Sequence, residues 1–161
     1  MTSTDTEAST IVIVDDEQMV LASLNAFFAL ETNYNIMDFT SANQALQYIR
    51  EHEIDLVISD QMMPEMDGIT FLRAVRELQP AVPRYLLTGY ADKENAIAAI
   101  NQVALDKYIE KPWDNEQLAA LVDSGLRRRN AMKALDRKML QLNAAYQELL
   151  EIDQGLRKTH A

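Results

Sequence analysis

Ile11-Val12-Ile13-Val14-Asp15-Asp16 and, further along, Leu56-Val57-Ile58-Ser59-Asp60 decide the fold. Each is a short apolar run, rich in β-branched residues and without alternation, as expected of a strand buried on both faces of a parallel sheet. Each runs directly into acid. In open α/β sheets ligands bind at the carboxyl ends of the strands, so Asp15, Asp16 and Asp60 are expected to converge there. A cluster of unneutralised carboxylates calls for a hard cation, and Mg²⁺ is the expected guest.

Outward from these two runs the chain alternates. Glu17 to Leu30 carries Met19, Val20, Leu24, Phe27 and Phe28 at helical spacing, and Asn33 to Thr40 reads as a strand. Ser41 is placed to cap a helix through Ala45, Leu46 and Ile49, and Asp55 to Ser59 is the third strand. Gln61 to Gly68 is a loop before a helix from Ile69 to Leu78. Arg84 to Leu87, ending at Thr88-Gly89, is a fourth strand, Asp92 to Gln102 a helix, and Tyr108-Ile109 a short fifth strand. A last helix opens near Asp114 or Asn115. Five strand–helix alternations predict an α/β fold: a five-stranded parallel sheet, doubly wound, with an extended C-terminal helix.

The 161 residues give room for one domain of ordinary size plus an appendage. The expected organisation is a flexible N-terminus over 1–9, a domain over 10–124 and a helical extension or linker over 125–161. There is no cysteine, which excludes disulfides and thiolate metal sites, and His52 and His160 are too few for a histidine cage. The polar, acidic start from Met1 to Glu7 is unlike a secretory signal, and no run is long enough to span a membrane, so a cytoplasmic protein is expected. The net charge of −10 is uneven: residues 1–126 carry 7 basic and 21 acidic side chains, and residues 127–161 carry 8 and 4. So acidic a body is a poor nucleic-acid surface.

Strand ends and the loop after the fifth strand deliver Asp15, Asp16, Asp60, Thr88 and Lys111 in order. In these positions, and in Asp60-Gln61-Met62-Met63-Pro64, Met66-Asp67-Gly68, Thr88-Gly89 and Tyr108-Ile109-Glu110-Lys111-Pro112, the chain closely resembles the receiver domain of two-component response regulators, a flavodoxin-like fold. The resemblance covers roughly residues 10 to 124 and rests on five spaced elements together. It implies that Asp60 accepts a phosphoryl group from a histidine kinase or phosphotransfer protein. It implies further that Asp15, Asp16, Asp60 and the main-chain carbonyl of Met62 hold Mg²⁺, and that Lys111 pairs with a phosphoryl oxygen. Thr88 and Tyr108 would be the switch, the hydroxyl moving towards the phosphoryl group and the ring turning inward behind it. Pro112 matches the family's cis-proline.

Gly89 stands where the family often has alanine or serine, and its size should leave the path of Tyr108 open. Met62 and Tyr90 flank the site, and neither positions water well, so slow loss of the phosphoryl group is expected. A Mg²⁺-dependent phosphatase with an aspartyl intermediate is the enzymatic alternative. Haloacid-dehalogenase-type phosphatases need a general acid two residues after the nucleophile, where this chain has Met62. A catalytically silent coiled-coil scaffold is the remaining alternative. The chain is therefore expected to catalyse only its own phosphorylation and dephosphorylation.

Beyond the domain, Leu135, Leu142, Leu149 and Leu156 fall every seventh residue, with Met132, Met139, Tyr146 and Asp153 at the other seam position. A parallel dimer, an antiparallel or four-helix arrangement and a helix folded back on its own domain all fit, with a homodimer through 132–156 favoured. Leu150 and Ile152 broaden the apolar face and leave larger assemblies open. Arg127-Arg128-Arg129-Asn130 resembles the basic stretch of a DNA-reading zipper, but it is short and follows an acidic body. Helices of this kind commonly lead to an output domain, so the chain is expected to be either a single-receiver regulator or a fragment whose output domain is missing. The wording around Tyr85 and Glu110 resembles receivers joined to cyclic-dinucleotide phosphodiesterases or kinases.

Overall fold

The computed structural model describes residues 8–89 and 93–159. Five strands, β1 (Thr10–Val14), β2 (Asn35–Phe39), β3 (Leu56–Asp60), β4 (Arg84–Thr88) and β5 (Lys107–Glu110), alternate with α1 (Gln18–Glu31), α2 (Ala42–Glu51), α3 (Gly68–Leu78), α4 (Lys93–Val103) and α5 (Asn115–Thr159). The strands form one all-parallel sheet in the order β2-β1-β3-β4-β5. The doubly wound sheet read from the sequence is the one found, and the order reverses beside β1, where Asp15, Asp16 and Asp60 emerge.

Successive strand residues point to opposite faces. Val12, Val14, Val57 and Leu86 pack under α2, α3 and α4 with Ala45, Ile49, Phe71 and Val75. Ile11, Ile13, Leu56, Ile58, Tyr85 and Leu87 pack on the other face with Leu21, Leu24 and Phe28 of α1 and Leu118, Val122 and Leu126 of α5. Both faces are covered, which is why the strands read as unbroken apolar runs. Each fully buried aliphatic side chain contributes roughly 1.5–3 kcal/mol.

Element boundaries shift for local reasons. β2 begins only at Asn35 because Thr32 still closes α1, its N–H donating to the Phe28 carbonyl at 2.9 Å. Asp55 precedes β3 and accepts the Thr10 N–H at 2.8 Å, while Asp60 itself pairs in register with Leu87. Ser41 caps α2 as expected, accepting the Gln44 N–H at 3.3 Å, and Asp114 accepts the Glu116 N–H at 2.8 Å at the start of α5. The N-terminal segment Met1–Glu7, Tyr90, Asp92 and His160 lie outside the described residues.

The chain divides into two compact units, Met1–Leu126 and Arg127–Ala161. The second is helical as far as Thr159, and α5 runs unbroken through Gly125 and Gly155. Within it Met132, Leu135, Met139, Leu142, Tyr146, Leu149 and Leu156 are all exposed. Among the described residues no helix is long and apolar enough to cross a membrane.

Candidate functional site

β1 and β3 are adjacent and in register, Val14 opposite Ser59, so the residues that follow both strands leave the sheet side by side. One carboxylate oxygen from each of Asp15, Asp16 and Asp60 lies within 4.8 Å of the others. Asp15 is fully buried, Asp60 is 5 % exposed and Asp16 faces solvent. The backbone N–H of Glu17 donates to Asp15 Oδ1 at 2.8 Å, and that of Gln61 to Asp60 Oδ1 at 3.0 Å.

Lys111 completes the cluster. Its Nζ lies 2.9 Å from Asp60 Oδ1 and 3.7 Å from Asp15 Oδ2. β5 brings it there: the Lys111 N–H donates to the Thr88 carbonyl at 2.9 Å, which aligns the ends of β4 and β5, and the Lys111–Pro112 peptide is cis.

The electrostatics follow from burial and crowding. Desolvation is the largest influence on Asp15; the Glu17 N–H and the Lys111 charge oppose it, Asp60 and Asp16 reinforce it, and the carboxyl is pushed up from 3.8 to about 6. Burial alone would lower the Lys111 ammonium, but the hydrogen bond and charge of Asp60, followed by the charges of Asp15 and Glu17, outweigh it and raise it. Asp15 and Asp60 thus share one ammonium, and Asp16 adds a further negative charge to the cluster. Asp15 Oδ2 is buried without a hydrogen-bond partner, a costly state for a carboxylate oxygen unless something else coordinates it. An all-oxygen donor set with excess negative charge fits a hard divalent cation.

The loop after Asp60 is shaped by contacts that the sequence reading did not identify. Gln61 donates its N–H to Leu87 O at 3.0 Å, accepts the Gly68 N–H on its own carbonyl at 3.0 Å and accepts the Ile69 N–H on its side-chain oxygen at 3.0 Å. Asp67 caps α3, accepting the Thr70 N–H at 2.8 Å. Gly68, in sequence simply the end of this loop, provides space: a Cβ there would collide with the Asp60 carbonyl oxygen and with Leu86 Cδ1. Met62, two residues beyond Asp60, is 64 % exposed.

Thr88 is fully buried at the end of β4, and its hydroxyl donates to the Gly89 carbonyl at 3.2 Å rather than to the carboxylates. A Cβ on Gly89 would meet nothing within 4 Å, so space is open there. Tyr108, opposite Leu86, is half-buried and lines a surface hollow of ≈ 400 Å³ with Trp113, Leu118 and Leu121.

Two buried polar residues of β4 escaped the sequence reading. Arg84 donates through Nη1 to Val103 O at 2.7 Å and through Nη2 to Ala104 O at 2.6 Å, filling the carbonyls at the end of α4. Tyr85 donates to Leu121 O on α5 at 2.7 Å, in a gap that exists because residue 125 has no side chain. No periodicity signals such pairings.

Comparison with known proteins places this geometry. Residues 11–123 match the family model "Response regulator receiver domain". The chain is 36 % identical over 124 residues to the transcriptional regulatory protein ZraR of Escherichia coli (strain K12), covering 77 % of this chain and 28 % of that protein. It is 32 % identical over 142 residues to the regulatory protein AtoC of the same strain, covering 88 % and 30 %. It therefore spans about three tenths of the length of these curated relatives. Among solved structures, the signal receiver domain of an HD domain-containing protein from Pseudomonas fluorescens Pf-5 is 32 % identical with a TM-score of 0.75, covering 82 % of this chain and 96 % of that one. A protein from Neptuniibacter caesariensis is 36 % identical with a TM-score of 0.74, covering 78 % and 92 %. On its sequence, its sheet order and its acidic strand ends together, the chain belongs to the response regulator receiver domain family.

Proposed function

We propose that this receiver takes a phosphoryl group onto Asp60 from a histidine kinase or phosphotransfer protein, and that the resulting rearrangement controls an output carried by the C-terminal helix. The observation that carries the reading is the meeting of Asp60, two further carboxylates and the Lys111 ammonium at one strand-end cluster. A carboxylate oxygen of Asp60 attacks phosphorus, and the bond from phosphorus to the donor's imidazole nitrogen breaks. The nitrogen leaves with the electron pair. Little covalent assistance is needed; alignment and charge neutralisation do most of the work.

Asp15, Asp16, Asp60 and the Met62 carbonyl would hold Mg²⁺, which would supply positive charge to offset that of the carboxylates and the phosphoryl group. Lys111, already 2.9 Å from Asp60, passes its ammonium to a phosphoryl oxygen. The Thr88 hydroxyl exchanges its bond to Gly89 O for another oxygen of the same group, and Tyr108 turns into the space beside Gly89. The output acts through self-association of residues 132–156, and an output domain of a longer protein, of the HD-containing kind or another, is its natural continuation. As in other phosphorelay components, action in the cytoplasm is part of the reading.

Incubation with Mg²⁺ and acetyl phosphate, followed by intact-mass measurement, tests it. One phosphoryl group is expected on the native chain and none on Asp60→Asn. No gain on either would leave a silent scaffold, and turnover of assorted phosphoesters would return the phosphatase reading.

A further inference from the structure

The exposed seam of the tail suits a second copy of this chain, and its charges suit one orientation. The inference rests on the self-association just proposed and adds its direction. The seam residues Met132, Leu135, Met139, Leu142, Tyr146, Leu149 and Leu156 are 50–67 % exposed in the single chain, and so long a helix with an apolar stripe is stabilised by covering it.

Residues 132–143 carry Lys133, Arg137 and Lys138 against Asp136, a net +2. Residues 145–156 carry Glu148, Glu151 and Asp153 with no base, a net −3. Parallel, in-register pairing lays like charge on like along both halves. Antiparallel pairing centred on Ala144 lays each basic half on an acidic one. Packed helix axes are about 8–10 Å apart, within roughly one Debye length at physiological salt, so this difference is felt. The rest of each chain, at −14 over residues 1–126, joins the N-terminal end of its tail. Antiparallel pairing of 25 residues separates the two attachment points by about 37 Å instead of bringing them together.

The seam layers agree. In a parallel pair Met132, Met139, Tyr146 and Asp153 each face their own copy. None is the β-branched residue that parallel two-stranded seams favour at this position, and the last layer would oppose two carboxylates. Arg157 Nε lies 3.1 Å from Asp153 within the same helix, but that pair is exposed and could not neutralise a second acid. In an antiparallel pair the two seam positions face each other: Met132 meets Leu156 of the partner subunit, Met139 meets Leu149 of the partner subunit, and Leu142 meets Tyr146 of the partner subunit. Asp153 then faces Leu135 of the partner subunit, within one turn of Lys138 of the partner subunit. Ala144 and Ala145 at the centre leave room for the two tyrosine rings.

We propose that residues 132–156 pair antiparallel with a second copy of this chain, each basic half covering the other's acidic half. The absence of cysteine makes the test clean. Full-length Met132→Cys and Leu156→Cys variants are oxidised mildly, separately and as a mixture. A disulfide needs Cα atoms within about 7 Å, so antiparallel pairing gives the mixed 132–156 product and neither variant cross-links to itself. Self-cross-linking of each variant without the mixed product overturns the orientation while leaving self-association intact. Light scattering of the native chain separates the two claims, since a monomer at every concentration removes self-association and the orientation with it. Glu148→Lys/Glu151→Lys lies off the seam and should raise the dimer dissociation constant at least tenfold at low salt. An unchanged or lowered constant, the parallel outcome, overturns the proposal.

Discussion

Gly125→Ala should destabilise the receiver even though it replaces the poorest ordinary helix former with the best, and Tyr85→Phe should undo about half of the damage. Within a helix the exchange alone gains about 1 kcal/mol. Here the new methyl would occupy the place of the Tyr85 hydroxyl, with Leu56 Cδ1 at 3.0 Å and the Tyr85 ring carbon Cζ at 3.2 Å. Tyr85 is 2 % exposed and cannot swing aside cheaply. Overpacking costs about 1–3 kcal/mol, and loss of the 2.7 Å bond to Leu121 O about 1 kcal/mol more, for a net loss of about 2 kcal/mol. Tyr85→Phe alone forfeits the hydrogen bond, about 1 kcal/mol. In the double variant the methyl meets no hydroxyl, the helix gain offsets the remaining tight contacts, and the total loss returns to about 1 kcal/mol. The singles sum to about 3 kcal/mol, which gives a coupling near 2 kcal/mol. Urea unfolding of all four proteins at one pH measures it. Additivity to within about 0.5 kcal/mol would refute the account of residue 125 as space for Tyr85.

Gly68→Ala should cost about 2 kcal/mol or more and slow phosphorylation from acetyl phosphate, because a Cβ there collides with the carbonyl of Asp60; native stability and rate would refute it. Asp15, raised to about 6 from 3.8, binds more protons folded than unfolded between roughly pH 4 and 6. Metal-free stability should therefore fall by up to about 3 kcal/mol as pH rises through that window, then level off, and Asp15→Asn should abolish the fall in urea titrations with chelator. By the same linkage Mg²⁺ affinity, read by calorimetry, should drop about tenfold per pH unit below 6, and a flat profile from pH 5 to 7.5 would contradict it. Met62, exposed beside Asp60, should yield faster phosphoryl loss when changed to Asn, a side chain able to orient water; an equal decay half-life would count against the expected slow native hydrolysis.

The layering and the acidic strand-end cluster were written in the sequence. Runs such as Ile11–Val14 and Leu56–Ser59 carry their burial in their composition, because a strand covered on both faces can hold little else. An acid directly after each run is carried to the same sheet edge, so Asp15, Asp16 and Asp60 were legible as a cluster before any coordinates. The sevenfold leucine spacing of the tail was legible for the same reason, periodicity being a local property. Only the tertiary structure decided what depends on close approach between distant segments. Gly68 and Gly125 look like punctuation until the Asp60 carbonyl and the Tyr85 hydroxyl are seen in the spaces they leave. Arg84 reads as a solvated charge until the carbonyls at the end of α4 surround it, and Gln61 as a loop residue until it closes the turn into α3. Asp15 acquires its high proton affinity from burial, reinforced by the charge of Asp60 against the opposing pull of Lys111, residues far apart in the chain. Desolvation and steric exclusion are set by whatever arrives from elsewhere, and no local pattern of residues encodes that.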